Sequence, residues 1–211
     1  MPNVVTISAS YGSHGDMIGR ALAGRLAIPF LDRAIPASVA KEITLPSPEM
    51  AESLDEPTPG RWDRFVAAMA NTPNLAGPDS LRAEKFDTPE DFRQAAERRL
   101  KELAETTGAV VLGRGGMVVL AGRPNVLCVR LDGPVERRIA QVVALGIAEK
   151  DARQGQRDVD RAREAYTRVF FNARQDDPSL YHLILDATAV SVEACVDVIE
   201  RAALDRFSGG R

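Results

Sequence analysis

The chain has 211 residues, of which 45% are hydrophobic and 27% are charged, and its formal net charge is −3. This length and composition are those of a globular protein with a single domain, which we assign to residues 1–211. The small negative charge provides no basic field for nucleic acid, and no apolar run approaches the roughly 20 residues that a membrane helix needs. A strand begins almost at once and leaves no room for a signal peptide, so we expect a cytoplasmic protein.

The first predicted element is an apolar, β-branched strand at Val4–Ser10, which leads through a glycine-containing loop into a helix at Met17–Leu26. This order presents backbone N–H groups and the positive end of a helix dipole to an anion. We therefore predict a phosphate site in the loop. Its candidate residues are Gly12, Ser13, His14, Gly15 and Asp16.

The residue types of this loop give the site its character. Gly12 and Gly15 permit backbone geometries that a Cβ atom would hinder, so consecutive N–H groups can line an anion nest. His14 either donates to phosphate or is simply exposed. Asp16 either caps the helix or, because an anion would repel a bound triphosphate, holds Mg²⁺ against it. The loop lacks the lysine and hydroxyl of GxxxxGK[ST], which leaves open whether it performs the usual chemistry.

The second predicted strand, Pro29–Asp32, allows a different interpretation. Asp32 follows the glycines by about 20 residues, where a dinucleotide-binding fold places its ribose-binding acid. The pattern G-x-G-x-x-G is absent, however, because the glycines stand at positions 12, 15 and 19. A nicotinamide-dependent oxidoreductase therefore stays a third alternative.

Residues 44–85 interrupt the alternation of strands and helices. This segment is rich in proline and has one short apolar, helix-like piece at Trp62–Met69. We predict an inserted flap outside the sheet, where substrate-covering segments are expected. The alternative is a disordered acidic loop without a role.

The remaining predicted elements continue the alternation. The helices are predicted at Pro89–Thr106, Val135–Gly146, Glu149–Phe171 and Val192–Phe207, and the strands at Ala109–Arg114, Asn125–Leu131 and Tyr181–Asp186. The strands are continuously apolar, as in a parallel sheet that is buried on both faces. We therefore predict an α/β three-layer fold with a mostly parallel five-stranded sheet. Cys128 and Cys195 lie within apolar elements, which favours two small buried side chains.

Two arginine features lie after the flap. Arg114 ends the third predicted strand between glycines, at the sheet edge where open α/β folds bind ligands; its position weakens the alternative of a surface arginine in a turn, which stays open. In the helix at 149–171, Arg153, Arg157 and Arg161 share one face. Such a face is usually only solvated, but beside a phosphate loop it would supply the cations that phosphoryl transfer needs.

The order of these segments resembles the cytidylate kinase-like proteins, a divergent branch of the P-loop nucleoside monophosphate kinases. The resemblance covers nearly the whole chain and is weakest across the flap. The motifs that carry it are Tyr11-Gly12-Ser13-x-Gly15-x-x-Ile18-Gly19, Phe30-Leu31-Asp32, Val110-Val111-Leu112-Gly113-Arg114, Pro124-Asn125-Val126-Leu127, Arg157-Asp158-x-Asp160-x-x-Arg163 and Leu180-Tyr181-His182-Leu183-Ile184-Leu185-Asp186.

The resemblance implies a P-loop NTPase fold with a flap of the monophosphate-binding type at 44–85 and a lid helix at 149–171. It implies that the residues 12–16 bind the phosphates of ATP, with Asp16 toward Mg²⁺. Asp32 and Arg114 match positions that bind the acceptor nucleotide, which would be CMP or dCMP. Arg157 and Arg163 match lid arginines that act on the transferring phosphoryl group.

The chain also departs from the family pattern. Gly15 stands where the loop lysine belongs, and Leu112 and Gly115 replace aspartates. Loss of one preorganised donor would raise the activation barrier of phosphoryl transfer by about 3–4 kcal/mol.

We expect a phosphotransferase that moves the γ-phosphoryl group of ATP, with Mg²⁺, to CMP, dCMP or a related acceptor. The alternative is a catalytically impaired nucleotide-binding regulatory protein. A nucleotide is thus the expected partner, without nucleic acid or membrane, and the oligomeric state stays open.

Overall fold

The computed structural model describes residues 2–32, 89–113 and 115–209. Its five strands form one sheet in the order β2-β3-β1-β4-β5, and every pairing is parallel. The strands are β1 Val4–Ala9, β2 Phe30–Asp32, β3 Ala109–Leu112, β4 Val126–Asp132 and β5 Leu183–Asp186. The helices are α1 Gly15–Leu26, α2 Pro89–Thr106, α3 Gly116–Val119, α4 Val135–Ala144, α5 Glu149–Phe171 and α6 Val192–Phe207, and a 3₁₀ turn lies at Pro178–Leu180.

Strand β1 is the centre of the sheet. All six of its residues are buried, and its side chains alternate between the two faces. Its register sets Ile7 beside Leu112 of β3 on one side and beside Val129 of β4 on the other. The strands are apolar on both faces because helices cover both, which explains why the sequence shows continuous apolar runs.

Helices cover each face with a separate hydrophobic cluster. On one face, α1 and α6 pack against the sheet; their buried residues are Ile18, Leu22, Ala23, Cys195, Val196, Ile199 and Ala203. On the other face, α2 and α3 pack against it; the buried residues are Leu100, Ala104 and Met117, together with Leu120, which directly follows α3. The prediction of an α/β fold of three layers around a parallel five-stranded sheet is therefore confirmed.

Helices α4 and α5 form a third, smaller cluster. Ile139 and Val142 of α4 form it with Ala152 of α5, and Tyr11 packs against this cluster. Since Tyr11 lies in the loop after β1, this cluster joins the two helices to the loop that the sequence marks as a phosphate site.

The observed elements differ from the predicted ones mainly at their ends. Helix α1 begins two residues earlier than predicted, at Gly15, and β3 ends at Leu112, two residues earlier than predicted. Helix α3 was not predicted, because a helix of four residues shows no periodicity. The segment 44–85 lies outside the described residues, so the flap stays a prediction, as does the single domain. Within the described residues, no helix is long and apolar enough to cross a membrane.

Candidate functional site

The carboxyl ends of three neighbouring strands meet at one edge of the sheet. Asp32, the last residue of β2, pairs with Leu112 at the end of β3, and Leu112 pairs with Ile7 near the end of β1. The loop after β1 and the position of Asp32 therefore lie along the same edge. Arg114 follows this edge in sequence but lies outside the described residues.

The loop after β1 has a conformation that leaves no room for side chains at its glycines. Gly12 has φ of 79°, and a Cβ atom there would lie 2.3 Å from the backbone oxygen of Arg138. At Gly15 a Cβ atom would lie 2.4 Å from Cβ of Ala9. The loop is thus packed against α4 on one side and against the end of β1 on the other.

The start of α1 presents backbone donors at this edge. His14 precedes the helix in the left-handed conformation, and among the described residues no side chain caps the helix start. The buried hydroxyl of Ser13 donates instead to the backbone oxygen of Ser10, at 2.7 Å. First-turn N–H groups without a side-chain cap are the donors that bind anions at helix N-termini.

Asp16 lies in the first turn of α1 and is exposed. Its Oδ1 accepts a hydrogen bond of 2.8 Å from Nε of Arg20. The described residues contain no group of three or more His, Cys, Asp or Glu side chains that could hold a metal ion. A single carboxylate at the start of α1 fits Mg²⁺ only in the common mode in which substrate phosphates and water complete the ligands.

Two charged residues to which sequence reasoning assigned no role, Arg138 and Asp160, hold the loop. The backbone N–H of Tyr11 donates to Oδ1 of Asp160 in α5, at 2.8 Å. Nη1 of Arg138 in α4 donates to the backbone oxygen of Tyr11 at 2.8 Å and to Oδ2 of Asp160 at 2.7 Å. Arg138 is only 5% exposed, whereas the side chain of Asp160 is 25% exposed, so this ion pair is partly buried.

A sequence signal for Arg138 exists. It falls on the same helical stripe as Ile139 and Val142, the other buried residues of α4. An arginine on the apolar face of a helix indicates a buried carboxylate partner, because an unpaired buried charge is too costly. The identity of that partner, Asp160, is not apparent from spacing.

A carboxylate at the end of β4 adds to this charged region. Burial alone would raise the pKa of Asp132, but hydrogen bonds with Ser10 and Arg130 outweigh it and hold that pKa below its ordinary value. Nη2 of Arg130 lies 2.6 Å from Oδ2 of Asp132, and Nε of Arg138 lies 3.6 Å from its other oxygen. The phenol of Tyr11 has a raised pKa, through burial and then through the charge of Asp160.

The predicted catalytic arginines of α5 lie in different surroundings. Nη1 of Arg163 donates to the backbone oxygen of Ala9, at the end of β1. Arg157 is exposed, and its Nη2 donates to Oε1 of Gln154 in the same helix, at 2.7 Å. Arg153 pairs instead with Glu136 and Glu149. The structure thus brings Arg163 to the end of β1, where the loop begins, and leaves Arg157 exposed.

Several solved structures are similar to this chain at low sequence identity. An uncharacterized protein from Eubacterium ventriosum ATCC 27560 is 18% identical, with a TM-score of 0.64 over 97% of this chain and 99% of that one. A shikimate kinase from Acinetobacter baumannii, in complex with shikimate, is 14% identical with a TM-score of 0.48 over 97% and 94%. A sugar kinase from Janibacter sp. HTCC2649 is 17% identical with a TM-score of 0.48 over 97% and 95%. No curated protein matches the sequence.

A match to a protein-family model gives stronger evidence of relationship than these structures do. The model of the cytidylate kinase-like family matches residues 4–189 of this chain, from the first residue of β1 to beyond the last residue of β5. That range includes the loop after β1, the edge formed by β2 and β3, and the whole of α5. The chain therefore belongs to the cytidylate kinase-like family.

Proposed function

We propose that this chain is a nucleotide phosphotransferase that moves the γ-phosphoryl group of ATP, with Mg²⁺, to CMP, dCMP or a related phosphate acceptor. The observation that carries the proposal is the loop after β1, which passes from the central strand into a helix start without a side-chain cap. Backbone N–H groups and the helix dipole there favour the phosphates of ATP. The family relation supports the same chemistry.

The loop residues have separate roles in this proposal. Gly12, Ser13, His14 and Gly15 would surround the phosphates with backbone donors, and His14 could add a ring N–H. Asp16 would hold Mg²⁺ together with phosphate oxygens, which requires that its carboxylate exchange the contact with Arg20 for the metal. Mg²⁺ would neutralise part of the charge that develops on the phosphates.

The acceptor nucleotide would lie beside the loop, at the ends of β2 and β3. Asp32 and Arg114 are the residues that we assign to it. Arg114→Ala should weaken binding of CMP by about 1.5–3 kcal/mol, as expected for a hydrogen bond to a charged group, and should leave ATP affinity nearly unchanged. Isothermal titration of both nucleotides measures this, and a loss confined to ATP would contradict the assignment.

Arg157 and Arg163 would stabilise the transferring phosphoryl group. The contact of Arg163 with Ala9 supports the proposal, because it holds this guanidinium beside the loop. Arg157 would have to reach the phosphates from its exposed position by a movement of the helix or of its own side chain. Cations of this kind act mainly in the transition state.

A second candidate function rests on Gly15. The loop has no lysine, and the space at this position is closed by Ala9 and Leu112, whose side chains would lie 2.4 Å and 3.2 Å from a Cβ atom. Backbone N–H groups can still bind phosphates without the lysine, but the lysine's stabilisation of the charge that develops during transfer is lost. This observation favours a nucleotide-binding regulatory protein without turnover.

Single-turnover transfer from labelled ATP to CMP and dCMP, at high enzyme concentration, separates the two functions. For a kinase, Arg157→Ala and Arg163→Ala should lower kcat far more than they weaken nucleotide binding. Arg161→Ala is the matched control, because Arg161 is an exposed arginine of the same helix. Binding of both nucleotides without transfer above background would overturn the kinase and leave the regulatory protein.

A further inference from the structure

The loop after β1 is held by a charged group of three residues, which we name the loop anchor: Tyr11, Arg138 and Asp160. Each member contacts the other two. The N–H of Tyr11 donates to Asp160, its backbone oxygen accepts from Arg138, and Arg138 donates to Asp160. Asp160 receives a further hydrogen bond of 3.0 Å from Gln156. The anchor thus joins the loop to α4 and α5 at once.

The contacts of Arg138 fix more than one loop residue. Its Nε donates to the backbone oxygen of Gly133, at 2.9 Å, so the guanidinium bridges the loops that follow β1 and β4. Its own backbone oxygen lies against Gly12. Since Arg138 is nearly fully buried, removing Asp160 would leave a buried charge without this partner, which costs more than the loss of a surface ion pair.

The anchor also determines which loop donors are left for a ligand. The carboxylate of Asp160 takes the N–H of Tyr11, so this donor is used within the protein. The loop lacks a lysine that would order it around phosphate. Preorganised donors lose less free energy on binding than mobile ones, so a fixed loop raises phosphate affinity.

We propose that Asp160 and Arg138 are positioning residues, which act through Tyr11 to hold the loop in its phosphate-binding conformation. The inference rests on the proposed function, since it concerns the same loop. It assigns roles to two residues that lie outside the loop, in α4 and α5. It also gives α5 a fixed contact with the loop.

The experiment compares Asp160→Ala, Asp160→Asn and the matched control Asp158→Asn. Asp158 is buried in the same helix, but its carboxylate accepts from Gln154 of that helix, at 2.8 Å, rather than from the loop. Two quantities are measured: hydrogen exchange at the Tyr11 amide by NMR, and the dissociation constant of ATP by calorimetry.

Asp160→Ala should speed exchange at Tyr11 and weaken ATP binding, each by about tenfold or more, since a hydrogen bond to a charged group is lost. Asp160→Asn keeps an oxygen acceptor and should restore part of the protection. Asp158→Asn should match the wild type in both measurements. If the alanine variant does not fold, the two asparagine variants decide, and Asp160→Asn should show the faster exchange.

Equal exchange at Tyr11 in the Asp160 and Asp158 variants would overturn the proposal. So would faster exchange with unchanged ATP affinity, because the anchor would then not position the binding loop. A wild-type protein that binds no ATP would overturn the proposed function instead. In that case slower exchange in the wild type than in Asp160→Ala would still establish the anchor.

Discussion

Gly12 meets two constraints that a side chain cannot satisfy together. Its φ of 79° lies in the left-handed region, and a Cβ atom would approach the backbone oxygen of Arg138 to 2.3 Å. Gly122 has almost the same φ, 74°, but no described atom lies within 4 Å of a Cβ atom there. Substitution of Gly122 therefore measures the free-energy cost of the left-handed conformation alone, whereas substitution of Gly12 adds the cost of the steric clash with α4.

Gly122→Ala should lower the free energy of unfolding by about 1–2 kcal/mol, the cost of the left-handed conformation. Gly12→Ala should lower it by that amount and by about 1–3 kcal/mol more, because backbone atoms of α4 must move. Urea denaturation of both variants measures the difference. Equal losses would mean that the loop moves away from α4 without cost.

The residues of the loop could be predicted from the sequence, but the contacts among the residues of the anchor could not. The glycines, Ser13 and the helix start follow one another in the chain, so spacing alone identifies them. Tyr11 and Asp160 are separated by 149 positions and meet only because α5 packs on α4 beside the loop. A local pattern holds no information about such a contact.

Helix α1 contains two glycines, Gly19 and Gly24, in different surroundings. Its buried residues face the sheet, and among them Gly19 lies under β2, where a Cβ atom would approach the ring of Phe30 to 2.5 Å. Gly24 lies in the last turn, and no described atom is within 4 Å of a Cβ atom there. The first glycine permits close packing, whereas the second only adds backbone freedom to the unfolded chain.

Gly24→Ala should raise the free energy of unfolding by about 0.5–1 kcal/mol, because alanine is the better helix former. Gly19→Ala should lower it by about 1–3 kcal/mol, because the ring of Phe30 has to shift. Thermal and urea denaturation of the two variants give the comparison. Stabilisation by both substitutions would show that Phe30 moves freely.

Helices and strands can be predicted from the periodicity of their apolar residues, but an element of about one turn is too short to show any periodicity. Helices α2, α5 and α6 have the predicted bounds, since each spans at least four turns with a clear apolar face. Helix α3 has only four residues after Gly115 and carries no such face. The arginine stripe of α5 was visible, but its contacts depend on the orientation of the whole helix.

At the scale of the whole molecule, His182, the residue before β5, connects that strand to β4 by two hydrogen bonds. Nδ1 of His182 accepts a hydrogen bond of 2.8 Å from the backbone N–H of Cys128, and the N–H of His182 donates to the backbone oxygen of Cys128, also at 2.8 Å. These bonds extend the pairing that begins at Val129 and Leu183. Protonation of Nδ1 would replace an acceptor by a donor that faces another donor.

The stability of the molecule should therefore depend on the charge of His182. Burial and then the charge of Arg206 hold the pKa of His182 below its ordinary value of 6.5. The folded state then binds fewer protons than the unfolded state, so this contribution is complete above the unfolded pKa and is lost as pH falls through the folded pKa. Carboxylates with lowered pKa, such as Asp132 and Asp186, lose their contribution only at lower pH, near about 4 and below.

We expect the free energy of unfolding to fall as the pH drops from about 6.5, the ordinary pKa of histidine, through the lower folded pKa. His182→Asn is the matched variant, because its side-chain oxygen can accept from Cys128 at nearly the same position and does not titrate. Urea denaturation of both proteins across this range should give a smaller pH dependence for the variant. An identical pH dependence of the unfolding free energy in the two proteins would show that other groups, and not His182, cause the effect.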